Sequence, residues 1–312
     1  MSVALLVLFN HNYESNIEKL DKLYVGRFSN VFYIMPFYSG TRKDVIAVYE
    51  NSYYFQGYIS HALSRLDNYE YYLVIGDDVM LHPEINENNI EFFFGVNEQT
   101  AFIPGLFLLH DKNENRPSRP FAPNWIHTKS AFNFKTVQEG NESFKLMPSY
   151  DEAIKKLERH GLKFEKGLSY ASHRCIPVLS RQYSYRENIE RIKLTIKSLQ
   201  YLLRPVQMQY PMIGSYSDIF LIPQRYKEKF QLYCGIFASM HLFVEIALPT
   251  ALAFAAEYIV QEIDLPTTGL TLWNSQSVKE LEDKYGRSLQ NIKMSFPENT
   301  LYIHPIKFSR WT

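Results

Sequence analysis

Tyr71-Tyr-Leu-Val-Ile-Gly-Asp-Asp-Val-Met-Leu-His-Pro83 is the stretch that decides the fold. A short apolar run of this length, closed by a glycine, reads as a buried strand. It delivers Asp77 and Asp78 side by side to its carboxyl end, and a second apolar run follows at once. Adjacent carboxylates repel unless one is protonated or a cation lies between them. A hard divalent ion such as Mg²⁺ or Mn²⁺, held by one or two carboxylates and by substrate phosphates, resolves that conflict. The residues leave a second reading open, in which Asp77 caps the next element and Asp78 is solvated.

The same grammar extends toward the amino end. Residues 3–9 form a continuous apolar run, Asn10-His11-Asn12 is polar, and Ile17, Leu20 and Leu23 recur at helical spacing behind Ser15. Strands are expected at 31–35 and 45–49, and a helix at 54–66. Strand and helix alternate, which predicts an α/β domain built on a mainly parallel sheet flanked by helices, with ligands beyond the carboxyl ends of the strands. The loops after Phe9, Met35 and Ile75 are the places to look. Residues 111–124, with Arg116, Arg119 and three prolines, read as a surface loop or flap. Helices are expected at 151–160 and 185–203, a strand at 218–222 with a helix from Gln224, and a last strand at 301–306. The partition is therefore 1–110 for one half of the domain, 111–210 for a flap and helical insertion, and 211–312 for the other half and the tail.

Composition narrows the function. The 312 residues are 46% hydrophobic, enough for a large core. Lys plus Arg, 33, balance Asp plus Glu, 33, so no net basic field draws in a nucleic-acid backbone. Cys175 and Cys234 lack CxxC or Cys/His spacing and read as reduced, intracellular thiols. Residues 1–10 are apolar without a basic leader and read as a first strand rather than a signal peptide. The apolar span 235–260 is interrupted by His241, Glu245 and Pro249, and reads as a buried core helix rather than a membrane span. Glu245, a lone carboxylate in that span, needs either a structural partner or a catalytic role. Burial raises its pKa and makes it a competent proton acceptor. On a continuous helix His241 lies on the same face, so a structural His-Glu contact is the other reading.

The acidic pair after an aromatic-led strand resembles the metal-binding acidic motif of GT-A glycosyltransferases, with Gly76 in the first acidic position of the usual DxD. The likeness is clearest over 3–83 and 214–250, and closest to bacterial enzymes that build surface polysaccharide such as lipopolysaccharide and capsule. The resemblance implies a GT-A (Rossmann-like) fold with a helical elaboration. It implies Asp78 as metal ligand, Asp77 as ligand or ribose contact, Asn10, His11 and Asn12 as a cradle for the base, and Arg42 beside the diphosphate. It also implies an acceptor-side loop at 212–218, Glu245 as general base with Asp218 as runner-up, and a late histidine, His304, as an extra metal ligand. Imidazole suits Mn²⁺ better than Mg²⁺. The implied reaction moves a sugar from a nucleotide-diphosphate sugar, a UDP-sugar first, to a hydroxyl of a glycan or lipid-linked glycan, with inversion preferred. The implied protein is cytoplasmic, up to the inner face of the membrane, with at most peripheral membrane association. The alternatives are an inactive glycan- or nucleotide-sugar-binding protein of the same fold, and a nucleotidyltransferase, whose basic glycine-rich phosphate loop is not found after residue 9.

Overall fold

The computed structural model describes residues 1–109, 143, 145–164, 208–312 and scattered positions between 184 and 196. The expected flap at 111–124, Cys175 and most of the expected 185–203 helix lie outside the described residues. In chain order the elements that build the site are β1 (Val3–Leu8), α1 (Ile17–Tyr24), β2 (Asn30–Pro36), β3 (Val45–Val48), α2 (Phe55–Leu63), β4 (Tyr71–Gly76), β5 (Met80–Leu81), α3 (Ile90–Phe94), β6 (Thr100–Phe102) and β7 (Phe107–Leu108). They continue with α4 (Tyr150–Arg159), β8 (Ile213–Gly214), β9 (Ile219–Pro223), α5 (Lys227–Ser239), α6 (Val244–Ala255), β10 (Tyr258–Val260), β11 (Thr268–Thr271), α7 (Ser275–Tyr285), α8 (Leu289–Met294) and β12 (Thr300–His304).

Every residue of β1 is buried because both faces of its sheet are covered. Ala4, Leu6 and Leu8 join one core with residues of α2, α5 and α6, while Val3, Leu5, Val7 and Phe9 join a second with residues of α1, α7 and β12. A strand sandwiched in this way reads as an unbroken apolar run instead of an alternating one. The surface helices carry their own boundary signals. Ser149 and Glu152 close a reciprocal capping box on α4, and Gly286, at φ 62°, ends α7 in the left-handed conformation that glycine tolerates.

The main sheet has seven strands in the order β10-β6-β9-β4-β1-β2-β3. β1 runs parallel to both β2 and β4, and β2 parallel to β3. β9 alone is reversed, pairing antiparallel with β4 and β6. Since β9 and β10 come from the carboxyl-terminal third and fill the same sheet as β1 to β4, residues 1–109 and 208–312 share one body. A second sheet of three strands, β11-β12-β5, brings the tail back beside the end of β4.

One expectation is corrected here. The span 235–260 is not one helix: α5 stops at Ser239, His241 takes φ 53°, and α6 begins at Val244. His241 is exposed in the break and shares no helical face with Glu245. Among the described residues no helix is long and apolar enough to cross a membrane.

Candidate active site

The chain leaves β1 toward β2 and β3, then returns to β4 on the other side of β1. That reversal opens a crevice at the carboxyl ends of β1 and β4, where open α/β sheets bind ligands. The Asp77 N–H donates to Leu8 O at 2.9 Å, which extends the β1–β4 ladder to the first acid. Asp77 is 6% exposed, and its carboxyl accepts a hydrogen bond from the Asn10 backbone. Burial, reinforced by Asp78 and Asp218, pushes its pKa up to about 8. Gly76 sits in a tight place: a Cβ there would lie 3.1 Å from Asp78 Oδ1 and 3.7 Å from Asp218 Cβ. A carboxylate at this position would fall against two others.

Asp218 reaches the site because β9 is antiparallel. Ile219 pairs with Ile75, and Gly76 N–H donates to Asp218 O at 2.7 Å, so the residue before β9 lies against the residue after β4. His304 arrives through β12, which pairs antiparallel with β5 directly after the acidic pair. Ile306 N–H donates to Asp78 O at 2.7 Å and fixes that approach. His304 Nε2 then sits 3.2 Å from Asp78 Oδ1 and 4.0 Å from Asp218 Oδ2. Burial opposes its charge, but Asp78 and then Asp218 outweigh burial and raise the imidazole to about 9. For Asp78, burial pushes upward and the His304 charge holds the carboxyl below its ordinary value. Asp218 is raised by burial, with His304 partly offsetting and Asp78 adding to the rise. His304 Nδ1 is buried and has no hydrogen-bond partner.

Glu245 is placed by a proline. In a helix the N–H of residue 249 would donate to the carbonyl of residue 245, and Pro249 has none. Ser215 N–H takes the freed Glu245 carbonyl instead, at 3.0 Å, tying the first turn of α6 to the loop that carries Asp218. Burial pushes the Glu245 carboxyl to about 8, Asp218 adds to the rise and His304 reduces it. Asp77, Asp78, Asp218, Glu245 and His304, scattered over most of the chain, thus form one electrostatic cluster.

Two aromatic residues complete the wall, and sequence reasoning passed over both. Tyr216 stacks on Tyr302 with centroids 6.3 Å apart and meets Trp273 and His304 edge-on, each at 5.3 Å. Its buried hydroxyl lies beside Asp218 without a hydrogen bond of ordinary geometry. The 212–218 loop drew notice for its glycine and hydroxyls, but nothing marked Tyr216 within it. Trp273 lies in a stretch where no element was expected.

The remaining expected residues divide. Asn10, His11 and Asn12 are exposed at the carboxyl end of β1, and Asn12 Nδ2 donates to Phe37 O at 3.0 Å. Arg42 is engaged in ion pairs. Its guanidinium bonds Asp44 at 3.0 and 2.5 Å and Asp21 at 3.0 and 3.2 Å, so two carboxylates already answer its charge. No family model and no curated protein matches the chain.

Among the described residues no three His, Cys, Asp or Glu side chains form a ready-made metal cage. The donor chemistry of Asp78, Asp218 and His304 nevertheless fits a divalent ion that takes its other ligands from substrate. Two carboxylates and an imidazole that gives up its proton to the ion are donors Mn²⁺ accepts, and open sites of one or two carboxylates plus phosphate oxygens are ordinary for such ions. The unpartnered His304 Nδ1 and the repelling carboxylates mark a centre whose polar groups are not satisfied by the protein alone.

Proposed function

We propose that the protein is a GT-A-type glycosyltransferase that moves a sugar from a nucleotide-diphosphate sugar, a UDP-sugar first, to a hydroxyl of a glycan or lipid-linked glycan in surface-polysaccharide synthesis. The observation that carries this reading is the meeting of Asp78, Asp218 and His304 at the β1–β4 crevice, with Glu245 next to them in a poorly solvated position. Such a cluster suits a reaction in which a diphosphate departs and a hydroxyl loses its proton.

Asp78 and His304, with Asp218, would hold Mn²⁺ or Mg²⁺, which supplies Lewis-acid neutralisation of the departing diphosphate. Asp77, walled in by Asn10, orients the donor from the β1 side. Glu245 accepts the acceptor proton as the oxygen–C1 bond forms and the C1–phosphate bond breaks, which inverts the anomeric centre. Its raised pKa makes it a stronger base than a solvated carboxylate, and also means that it is ionised mainly above pH 8. Tyr216 and Trp273 keep water from this face of the crevice.

A thermal-shift panel of UDP-, GDP-, CMP- and dTDP-sugars, with and without Mn²⁺, tests the reading, because a ligand bound only by the native state raises its melting temperature. A shift of several degrees with one donor class that requires Mn²⁺ supports it. The absence of any shift across the panel sinks it.

A further inference from the structure

Away from the carboxylates, the loops that follow β2 and β3 carry aromatic rings that folding alone does not explain. Phe37 is 62% exposed and Tyr49 72% exposed, in edge contact with centroids 6.0 Å apart. Phe37 holds φ 54°, a region that bulky residues avoid and that costs on the order of 1–3 kcal/mol. Hydrogen bonds keep it there: Phe37 N–H donates to Val48 O at 2.9 Å, and Asn12 donates to its carbonyl. Tyr53, 53% exposed, lies against Phe243, and Tyr54 meets His241 edge-on at 5.2 Å.

Glu50 and Asn51, which follow Tyr49 in the chain, line a cavity of about 690 Å³ between α2 and α5 together with Tyr54, His61, Ser239 and His241. A second cavity of about 590 Å³ continues it, sharing Ser60, Gln231, Gly235 and Ser239. Two glycines keep the floor open. A Cβ on Gly57 would overlap the Glu50 carboxylate, and one on Gly235 would come within 3.1 Å of Ser60 Oγ. His61 Nε2 is buried there without a hydrogen-bond partner. Among the described residues neither lining contains a lysine or arginine, which disfavours a phosphate or a nucleic acid as its occupant. Hydroxyl, amide, imidazole and carboxylate groups beside exposed rings are the chemistry that receives an uncharged polyol.

We propose that this track, from Phe37 and Tyr49 into the α2–α5 groove, binds the sugar chain of a neutral oligosaccharide acceptor outside the catalytic centre. The identification of the chain as an acceptor rests on the glycosyltransferase reading; the glycan-binding surface does not. Exposed aromatic surface is suited to the C–H side of a sugar, and the groove supplies donors and acceptors for hydroxyls.

The probe is a set of neutral hexaoses (malto-, cello- and N-acetylchito-), followed by saturation-transfer NMR on the full chain at millimolar ligand, with UDP and Mn²⁺ calorimetry run in parallel. At least one oligosaccharide is expected to bind wild type. The Tyr49→Ala/Tyr53→Ala double variant, altered only at exposed rings, is expected to weaken it tenfold or more, and Gly235→Leu to abolish it, with UDP binding unchanged. No binding by any hexaose, or unchanged binding in the double variant, overturns the proposal. Oligosaccharide binding without UDP binding leaves the track standing and removes the UDP-sugar form of the transferase reading, while the reverse pattern removes only the track.

Discussion

Asp77 is expected to destabilise the folded protein as pH rises, and Asp77→Asn to relieve that cost. The carboxyl moves from an ordinary 3.8 to about 8 on folding, mainly through burial. At 1.36 kcal/mol per tenfold in proton affinity, the full change is worth about 6 kcal/mol, of which about 4 falls between pH 5 and 8. The sign follows from the protons: in this window the folded state keeps one that the unfolded state has lost, so stability declines as pH rises. Relaxation and water entry in real proteins reduce such figures, and about 2–3 kcal/mol is the expected difference. The asparagine keeps the shape and still accepts from Asn10 while carrying no charge. Urea denaturation of both proteins at pH 5 and pH 8 measures it. The variant should match wild type at pH 5 and exceed it at pH 8, with donor affinity lost. A variant equally stable or weaker at both pH values would refute the burial argument.

Glu245→Gln should reduce transfer by about 10²–10⁴ with donor affinity retained, since positioned bases contribute on that order. Wild-type kcat should climb toward pH 8 as Glu245 ionises, and loss of that limb in the variant, read from pH–rate profiles, separates chemistry from packing. His304→Ala leaves Asp78 and Asp218 facing one another and should cost about 3–5 kcal/mol near pH 6, as removal of one partner of a buried pair does. The deficit should shrink as pH passes through about 9, where wild-type His304 itself loses its proton, and thermal melts across pH track it. In a metal titration the same variant should need more Mn²⁺ for half-maximal activation, whereas an unchanged midpoint would return His304 to a purely structural role.

Much of the parallel frame was legible because it is written locally. The runs at β1, β2, β3 and β4 are short and apolar, and α1 shows its period in Ile17, Leu20 and Leu23. Asp77 and Asp78 were legible as a pair at a strand end, and Glu245 as a lone charge in an apolar span. What brings them together was not, since it lives in long-range pairing: the reversed strand β9 sets Asp218 against Gly76, and β12 sets His304 against Asp78. Glu245 was read at the centre of one long helix, yet it lies in the first turn of a second. Pro249 was visible in the sequence, but its effect, freeing a carbonyl for Ser215, needs a partner 30 residues away. Arg42 looked like a phosphate ligand because Asp21 and Asp44, which neutralise it, flank it from different elements. β10 lies inside the apolar span read as one helix, and β11, half exposed, carries a single apolar residue and does not stand out.

Titration calorimetry of UDP into wild type and Asp78→Asn, each with and without Mn²⁺, tests the central claim most directly. The account predicts that wild type binds UDP with micromolar affinity only when Mn²⁺ is present. It predicts that the folded Asp78→Asn variant loses at least about 1.4 kcal/mol, the equivalent of a tenfold loss in affinity. Equal UDP affinity in the two proteins, or binding indifferent to Mn²⁺ in both, would contradict it.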